Sequence, residues 1–282
     1  MVRFLSCSNL IQEVTMKRFI LSLLFLLIFA DSSFAGVTVL GGLTREMTLI
    51  PGDKFEGTIQ LLNKGEDAAH VKVFQTDYIF YADGQTFYNE PGITPRSNAG
   101  WLSISPSRIT IPAKETASLY YEVNVPGQVD LKGTYWSVVM IEPVADSSTR
   151  KVEEQDGKVA LGLQTVIRYA VQIITNIGET GNSSIRLIGN KLINYEGKII
   201  FQSDIENTGE RWLSPFVWAE LYNKDGIYIG RFESDRKRIF PTCSVRHHLD
   251  LTNVPKGQYT ALLIIDNGDD RVFGANYQMR LE

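Results

Sequence analysis

The sequence predicts an all-β protein made of two tandem β-sandwich domains. Three observations lead to this prediction. Short apolar segments follow one another after residue 36, turn residues separate them at intervals of about 8–12 residues, and no segment has the period of an amphipathic helix. The segments are rich in Val, Ile, Tyr and Phe, which favour a pleated, half-buried surface. Examples lie at residues 55–62, 69–75, 118–125, 198–205, 217–222 and 259–265.

Turn residues separate these predicted strands. The clearest turns are Ala82-Asp83-Gly84, Asn63-Lys64-Gly65, Asn207-Thr208-Gly209 and Lys224-Asp225-Gly226. Because Asp-Gly and Asn-x-Gly tolerate the positive φ of tight hairpins, each of them is expected to reverse the chain.

The two halves of the chain echo each other, which predicts one immunoglobulin-like plan used twice. In each half a strand ends at an asparagine, followed by an apolar-Pro pair, a strand, a Val-Pro pair and a Gly-x-Tyr strand. The matching elements are Asn63 and Asn207, Ile111-Pro112 and Phe240-Pro241, Val125-Pro126 and Val254-Pro255, and Gly133-Thr134-Tyr135 and Gly257-Gln258-Tyr259. The apolar pattern breaks near residues 177–184, so we expect domains at 36–178 and 179–282.

Residues 1–35 have the pattern of an upstream start followed by a signal peptide. Lys17 and Arg18 precede an apolar run at 19–30, and Ser33-Phe34-Ala35 supplies small residues for cleavage. We therefore expect an exported protein in the periplasm, with no membrane span in the mature chain. The formal net charge of −4 and the lack of a basic run argue against a nucleic-acid partner. Cys243 is the only cysteine after the signal, so no internal disulfide is expected.

The most informative stretch is residues 133–175. A strand at 133–141 and a charged loop at 145–158 precede a segment from Val159 in which apolar and polar residues alternate. Leu161, Leu163 and Ile167 share one face of this predicted strand. Two interpretations remain open: an ordinary strand with this face in the core, or an edge strand that pairs with another chain. Trp136, in the preceding strand, is expected in the core.

Catalytic and metal sites are not indicated. The adjacent His247 and His248 would point to opposite faces of a strand and cannot easily share a metal. The acidic run at 266–270 lacks the ligand spacing of a calcium loop, and a hairpin turn explains it. The sequence contains no phosphate loop, no nucleophile elbow and no Cys–His pair at usable spacing. We therefore expect a protein that is not an enzyme and needs no cofactor.

Several segments resemble the periplasmic pilus chaperones of chaperone–usher systems, the PapD-like family. The run Leu163-Gln164-Thr165-Val166-Ile167-Arg168-Tyr169 is similar to the last strand of that family's first domain, and Thr44-Arg45 resembles its first strand. Tyr135-Trp136 and Ile205-Glu206-Asn207-Thr208 resemble the middle of the first domain and the start of the second. The chain departs from the family at Arg168, where lysine is usual, and at Tyr169-Ala170-Val171, where the family has a more aromatic, Pro-ended tail.

The resemblance implies a function. Such a chaperone binds and caps an exported pilus-type subunit whose β-sandwich is incomplete, by lending it an edge strand. Leu161, Leu163 and Ile167 would then fill the subunit's groove, and Arg45 and Arg168 would hold its C-terminal carboxylate in a basic interdomain cleft. An outer-membrane usher would be a further partner. For both arginines a role in ordinary surface ion pairs remains open.

A different class of function is left open by an aromatic-rich stretch. Its members are Tyr78, Phe80, Tyr81, Phe87, Tyr88 and Trp101. Exposed together, they would suit a cell-envelope adhesion or surface-binding module. Packed in the core, they would have no binding role.

Overall fold

The computed structural model describes residues 36–127, 130–144, 154–155, 158–159, 166–268 and 272–282. Within these ranges the chain forms nineteen strands and a single 3-10 turn at Ala99–Trp101, so the predicted all-β class is confirmed. No helix in the described part of the chain is long and apolar enough to cross a membrane.

Residues before position 178 form two packed sheets. The first sheet joins β1 (Val37–Val39), β3 (Lys54–Asn63), β8 (Thr116–Asn124) and β6 (Leu102–Ser105), in that order. The second joins β2 (Thr44–Leu49), β12 (Tyr169–Ile177), β9 (Gly133–Pro143), β4 (Ala69–Phe80) and β5 (Thr86–Asn89), with β7 (Arg108–Ile111) also paired to β4. The chain passes from the first sheet to the second between β1 and β2, where Gly41 takes a φ of 79°.

Residues after position 184 form two further sheets. One joins β13 (Ile185–Tyr195), β14 (Lys198–Asn207) and β17 (Ser244–Asp250). The other joins β16 (Tyr228–Ser234), β15 (Phe216–Asn223), β18 (Gly257–Asp266) and β19 (Val272–Leu281). A small separate hairpin consists of β10 (Glu154–Gln155) and β11 (Lys158–Val159).

The predicted turns are of two physical kinds. Gly84 and Gly226 take φ values of 91° and 77° in the β4–β5 and β15–β16 hairpins, as expected for Asp-Gly turns. The glycines of the Asn-x-Gly turns, Gly65 and Gly209, do not take a positive φ. There the buried side chains of Asn63 and Asn207 accept the N–H of the glycine two residues later, at 2.9 Å in both cases.

The same two asparagines explain the echo between the halves. The Asn63 amide donates to the carbonyls of Ile111 and Pro112, and the Asn207 amide donates to that of Ile239, just before Phe240-Pro241. Each asparagine thus ties the end of one strand to the apolar-Pro segment of its own domain.

The two domains are joined by apolar contacts around one stacked pair of rings. Trp136 of β9 stacks on Phe240 with ring centroids 4.6 Å apart and planes 8° apart, and both residues are buried. Ile174 of β12 joins them, so the core of the second domain extends onto the first. Polar contacts flank the stack: Thr134 N–H donates to the Glu210 carbonyl at 2.8 Å. Trp136 is therefore a core residue, as expected, and its core lies between the domains.

Replacing Phe240 by alanine is expected to destabilise the protein by about 3–5 kcal/mol, because a large buried ring is lost and the cavity cannot fully collapse. Urea unfolding followed by circular dichroism measures the loss. Phe216→Ala is the matched control, since Phe216 is 49% exposed and its removal is expected to cost much less. Equal losses in the two variants would contradict the assigned role of the interdomain stack.

Candidate partner-binding edge

Strand β12 is paired on both sides along only part of its length. It pairs with β9 from Tyr169 to Ile177, but with β2 only from Gln172 onward. The last contact on the β2 side is the Gln172 N–H donating to the Leu43 carbonyl at 2.8 Å. Because hydrogen-bonding directions alternate along a strand, the backbone of Ala170 faces the same side as Gln172. Among the described residues no strand pairs with that side of Ala170, and we call this side the free edge.

The β12 ladder begins later than the sequence predicts. Alternation predicts one strand starting at Val159, whereas the structure places Val159 in the β10–β11 hairpin and starts β12 at Tyr169. A physical reason is visible on β9: continued in register, Ile167 would lie opposite Pro143, which has no N–H to donate. Leu161 and Leu163 lie outside the described residues, so their expected role stays a prediction.

Residues 166–168 precede β12 and present apolar surface at this edge. The exposed fractions of Val166 and Ile167 are 40% and 46%. Nearby on the same side of the domain, Leu43 ends the β1–β2 crossing with 44% of its surface exposed. A free sheet edge flanked by exposed aliphatic side chains is the kind of surface on which another chain can add a strand. We call residues 166–171 the edge segment.

Arg168 forms an ion pair beside the edge segment. One of its terminal nitrogens lies 2.7 Å from Oε1 of Glu142 on β9, and its side chain is 60% exposed. An exposed pair of this kind contributes about 0–1 kcal/mol. The guanidinium is therefore held in place only weakly.

Arg45 lies elsewhere. It shares a face of β2 with the buried Met47, and its Nη1 donates to the Gly42 and Thr44 carbonyls at 2.5 and 3.2 Å. Its neighbour across the β2–β12 pair is Ile173, five residues beyond Arg168. At about 3.3 Å per residue that is an offset of up to roughly 16 Å.

The described contacts do not support the expected joint anchor, which stays a prediction. Glu142, the ion-pair partner of Arg168, follows the core residue Ile141 and so faces away from the core, whereas Arg45 lies on the core-facing side of its strand. The two guanidinium groups thus lie on opposite faces of the sheet, and the structure does not bring them together to hold a single carboxylate. The physical reason is the two-residue period of a strand, which turns Arg45 inward and its neighbour Glu46 outward.

Glu46 is the residue of β2 that meets the second domain, and sequence reasoning missed it. Its carboxylate accepts from Trp212 Nε1 at 2.8 Å and Asn176 Nδ2 at 2.9 Å, and it pairs with Arg238 at 3.2 Å. The Arg238 guanidinium also lies 4.2 Å from the Trp212 ring centroid. The only sequence signal for this site is the alternation of Thr44-Arg45-Glu46. That alternation would have indicated an outward-facing Glu46 if the change of sheet at Gly41 had been predicted.

The aromatic-rich stretch divides into a packed half and an exposed half. Tyr78 packs on Phe80, Phe80 contacts Phe240 across the domain boundary, and Trp101 packs on Tyr135 against the first-domain core. Tyr81, Phe87 and Tyr88 are 39%, 41% and 52% exposed on the β4–β5 hairpin. We call these three residues the aromatic patch; Phe87 contacts Tyr81 on one face of the hairpin, and Tyr88 contacts Tyr78 on the other.

The two adjacent histidines occupy different environments. His247 is buried and its Nδ1 lies 3.0 Å from Ser234 Oγ, while His248 is exposed on the other face of β17. Burial, reinforced by the charge of Lys237, lowers the pKa of His247 to about 4. Burial likewise lowers the pKa of His248, without moving it as far. The described residues include no group of three side chains placed to hold a metal ion.

Comparison with known proteins adds a fold-level similarity. No family model and no curated protein matches the chain. Among solved structures, the class 5 fimbriae chaperone CfaA matches with a TM-score of 0.47 at 16% identity, over 86% of this chain and 98% of its own. The E. coli chaperone DraB matches at 0.41 and 11% identity, over 88% and 98% of the two chains. A chain from the Salmonella enterica SafA pilin–SafB chaperone complex matches at 0.41 and 13%, over 89% and 99%.

CfaA and DraB are described as chaperones, and SafB as the chaperone in a complex with a pilin. At these identities the similarity is one of fold. It does not say what this chain binds.

The buried imidazole makes stability depend on pH. His247 binds a proton near pH 6.5 when unfolded and only near pH 4 when folded, so the unfolded state binds more protons between these values. The free energy of unfolding is therefore expected to be fully maintained above pH 6.5 and to fall by up to about 3 kcal/mol as the pH drops to 4. Urea unfolding across this range measures the fall.

Two variants separate this effect from the titration of other groups. His247→Asn should flatten the pH dependence between pH 6.5 and 5, where few carboxyl groups titrate. His248→Gln, at the adjacent exposed position, should leave most of it. An unchanged slope in the first variant would show that another group is responsible.

Proposed function

We propose that this chain is a non-catalytic periplasmic chaperone-like protein that binds and caps an exported subunit with an incomplete β-sandwich. The observation that carries the proposal is the one-sided pairing of β12, which leaves the backbone at Ala170 available to a foreign strand. The sequence resemblance to PapD-like chaperones supports the same reading. An outer-membrane usher is the further partner that this function implies.

Pairing would start next to Thr44, where β2 begins. An incoming strand would extend the position of β2 along β12 and take up the free hydrogen-bonding groups of the edge segment. Backbone pairing alone selects no register, so side chains must do so. Ile167 would enter the subunit's groove together with Leu161 and Leu163. A fully buried aliphatic side chain contributes roughly 1.5–3 kcal/mol before ordering costs, so three anchors supply several kcal/mol.

Arg168 is the better placed of the two proposed carboxylate anchors. It adjoins Ile167 in sequence, and its exposed ion pair with Glu142 is weak enough for a subunit carboxylate to replace. For Arg45 we propose a separate contact on the other face. Its bonds to the Gly42 and Thr44 carbonyls also shape the crossing before β2, and so help to fix where the free edge begins.

Introducing a charge at Ile167 is expected to release the partner, because an unpaired carboxylate in an apolar groove costs well over the 1.4 kcal/mol that corresponds to a tenfold loss of affinity. Ile167→Asp is expressed in the source cells and the co-purified subunit is quantified by mass spectrometry. Ile188→Asp is the matched control, since Ile188 is 48% exposed against 46% for Ile167 but lies in the second domain.

A photo-crosslinking residue at position 167, again compared with position 188, identifies the partner directly. A crosslinked partner whose own β-sandwich is complete, or equal retention by the two aspartate variants, would contradict strand donation. Arg168→Gln tests the anchor separately. It should weaken binding less than Ile167→Asp if the strand supplies most of the free energy.

The exposed aromatic patch supports one alternative, a cell-envelope adhesion or surface-binding module. Aromatic side chains at this exposure are typical of binding surfaces. Under our proposal the chain is not retained on insoluble cell-wall polymer. Under the alternative it is retained, Tyr88→Ala abolishes retention, and Ile167→Asp leaves it unchanged. Tyr195→Ala, at a second-domain tyrosine that is 61% exposed, controls for the loss of an exposed ring.

A further inference from the structure

The first sheet carries a cavity on the face turned away from the core. Its volume is about 560 Å³, within the range of sites that hold small ligands or single side chains. Ile59 of β3 and Leu119 of β8 are buried in the core, so the residues alternating with them stand on the outer face. The outer-face residues that line the cavity are Glu56, Thr58, Ser103, Ser105, Tyr120 and Glu122.

Two carboxylates stand directly opposite each other in this cavity. Glu56 of β3 and Glu122 of β8 are register partners, and like charges in such a pair repel. Glu122 accepts from the Asn124 amide and has Lys54 at 3.7 Å, but that lysine is 70% exposed. Glu56 has no ion-pair partner among the described residues. Among the described residues the two carboxylates thus have one lysine between them, which leaves the cavity with net negative charge.

An aromatic ring stands next to the carboxylates. Tyr120 is two residues before Glu122 on the same face and 61% exposed, so the face of its ring is open to a ligand. Across from these two residues, Ser105 and Ser103 on β6 add hydroxyl groups that accept hydrogen bonds. This combination suits an organic cation, because the ring offers a cation–π contact and the carboxylates and hydroxyls accept hydrogen bonds.

We propose that this cavity binds a guanidinium group, carried either by a small molecule or by an arginine side chain. A planar guanidinium donates in two directions at once, so it can satisfy Glu56 and Glu122 together while stacking on Tyr120. An ammonium is a compact, strongly hydrated charge that uses this arrangement less well. A divalent metal ion takes oxygen ligands and would make no use of the Tyr120 ring.

This site is independent of the proposed function. It lies on the sheet formed by β1, β3, β8 and β6, whereas the edge segment adjoins β12 of the other sheet. A variant that loses guanidinium binding can therefore still be tested for partner binding at the edge segment, and the reverse.

The test is calorimetric titration of the purified chain with agmatine, a small guanidinium compound, at low salt. We expect saturable binding that weakens with added salt. Glu56→Gln should lower the affinity by about tenfold or more, since a charge-assisted hydrogen bond and the opposing charge are both lost. Tyr120→Ala should lower it several-fold. Glu115→Gln removes the same charge from an exposed position outside the cavity and should change nothing.

Two further ligands show whether the site prefers a guanidinium to an ammonium group, and an arginine side chain to a small molecule. Putrescine, which has ammonium groups in place of the guanidinium, should bind more weakly than agmatine. A capped arginine peptide that binds more tightly than agmatine assigns the site to a protein side chain, and the reverse order assigns it to a small molecule. Equal binding of agmatine to the original chain and to Glu56→Gln, equal binding of putrescine, or preference for Ca²⁺ would overturn the proposal.

Thermal unfolding without ligand gives a second readout. Relief of the repulsion between Glu56 and Glu122 should leave the Tm of Glu56→Gln equal to or above that of the original chain. A lower Tm would show that the pair has a structural role instead and would also overturn the proposal.

Discussion

The stack of Trp136 on Phe240 fixes part of one sheet, the one that contains β9 and β12, against the second domain. It joins the middle of β9 to the second domain, and Ile174 does the same for the second half of β12. The hydrogen bond from Thr134 to Glu210 also joins the two domains, as do the contacts of Glu46 with Trp212 and Arg238. The contacts of β12 with the second domain and with β2 therefore lie toward its C-terminal end, whereas among the described strands its first three residues pair only with β9.

This asymmetry links the fold to the proposed function. A strand that is fixed at one end and open at the other offers a defined direction for growth of the sheet, with β2 already occupying the position that an incoming strand would continue. Pro143 contributes by ending the β9 ladder opposite Ile167, so that the segment before β12 is not drawn into the domain's own sheet. The apolar side chains there remain at the surface and raise the free energy of the unbound protein.

Much of this fold was accessible from the sequence, and what was not has identifiable causes. Period-two patterns predicted the strands, and the recurrence of Asn63 and Asn207 predicted two copies of one plan, because each asparagine forms local bonds that its own segment specifies. The start of β12 was predicted too early. An alternating pattern from Val159 onward does not show whether a neighbouring strand is present to pair with it. Arg45 was assigned to the cleft through the resemblance alone. The contact of Glu46 with the second domain was missed because the face that each β2 residue presents depends on where the strand changes sheets at Gly41, which is set by tertiary contacts.

The environment of Cys243 has a practical consequence for a protein expected outside the cytoplasm. The thiol is fully enclosed beside the domain boundary, and burial raises its pKa to about 11. The thiolate required for disulfide exchange is therefore almost absent at neutral pH, and the enclosed sulfur is shielded from oxidants. Reaction of Cys243 with a thiol reagent would accordingly report on opening of the core around it, which gives the molecule a built-in probe.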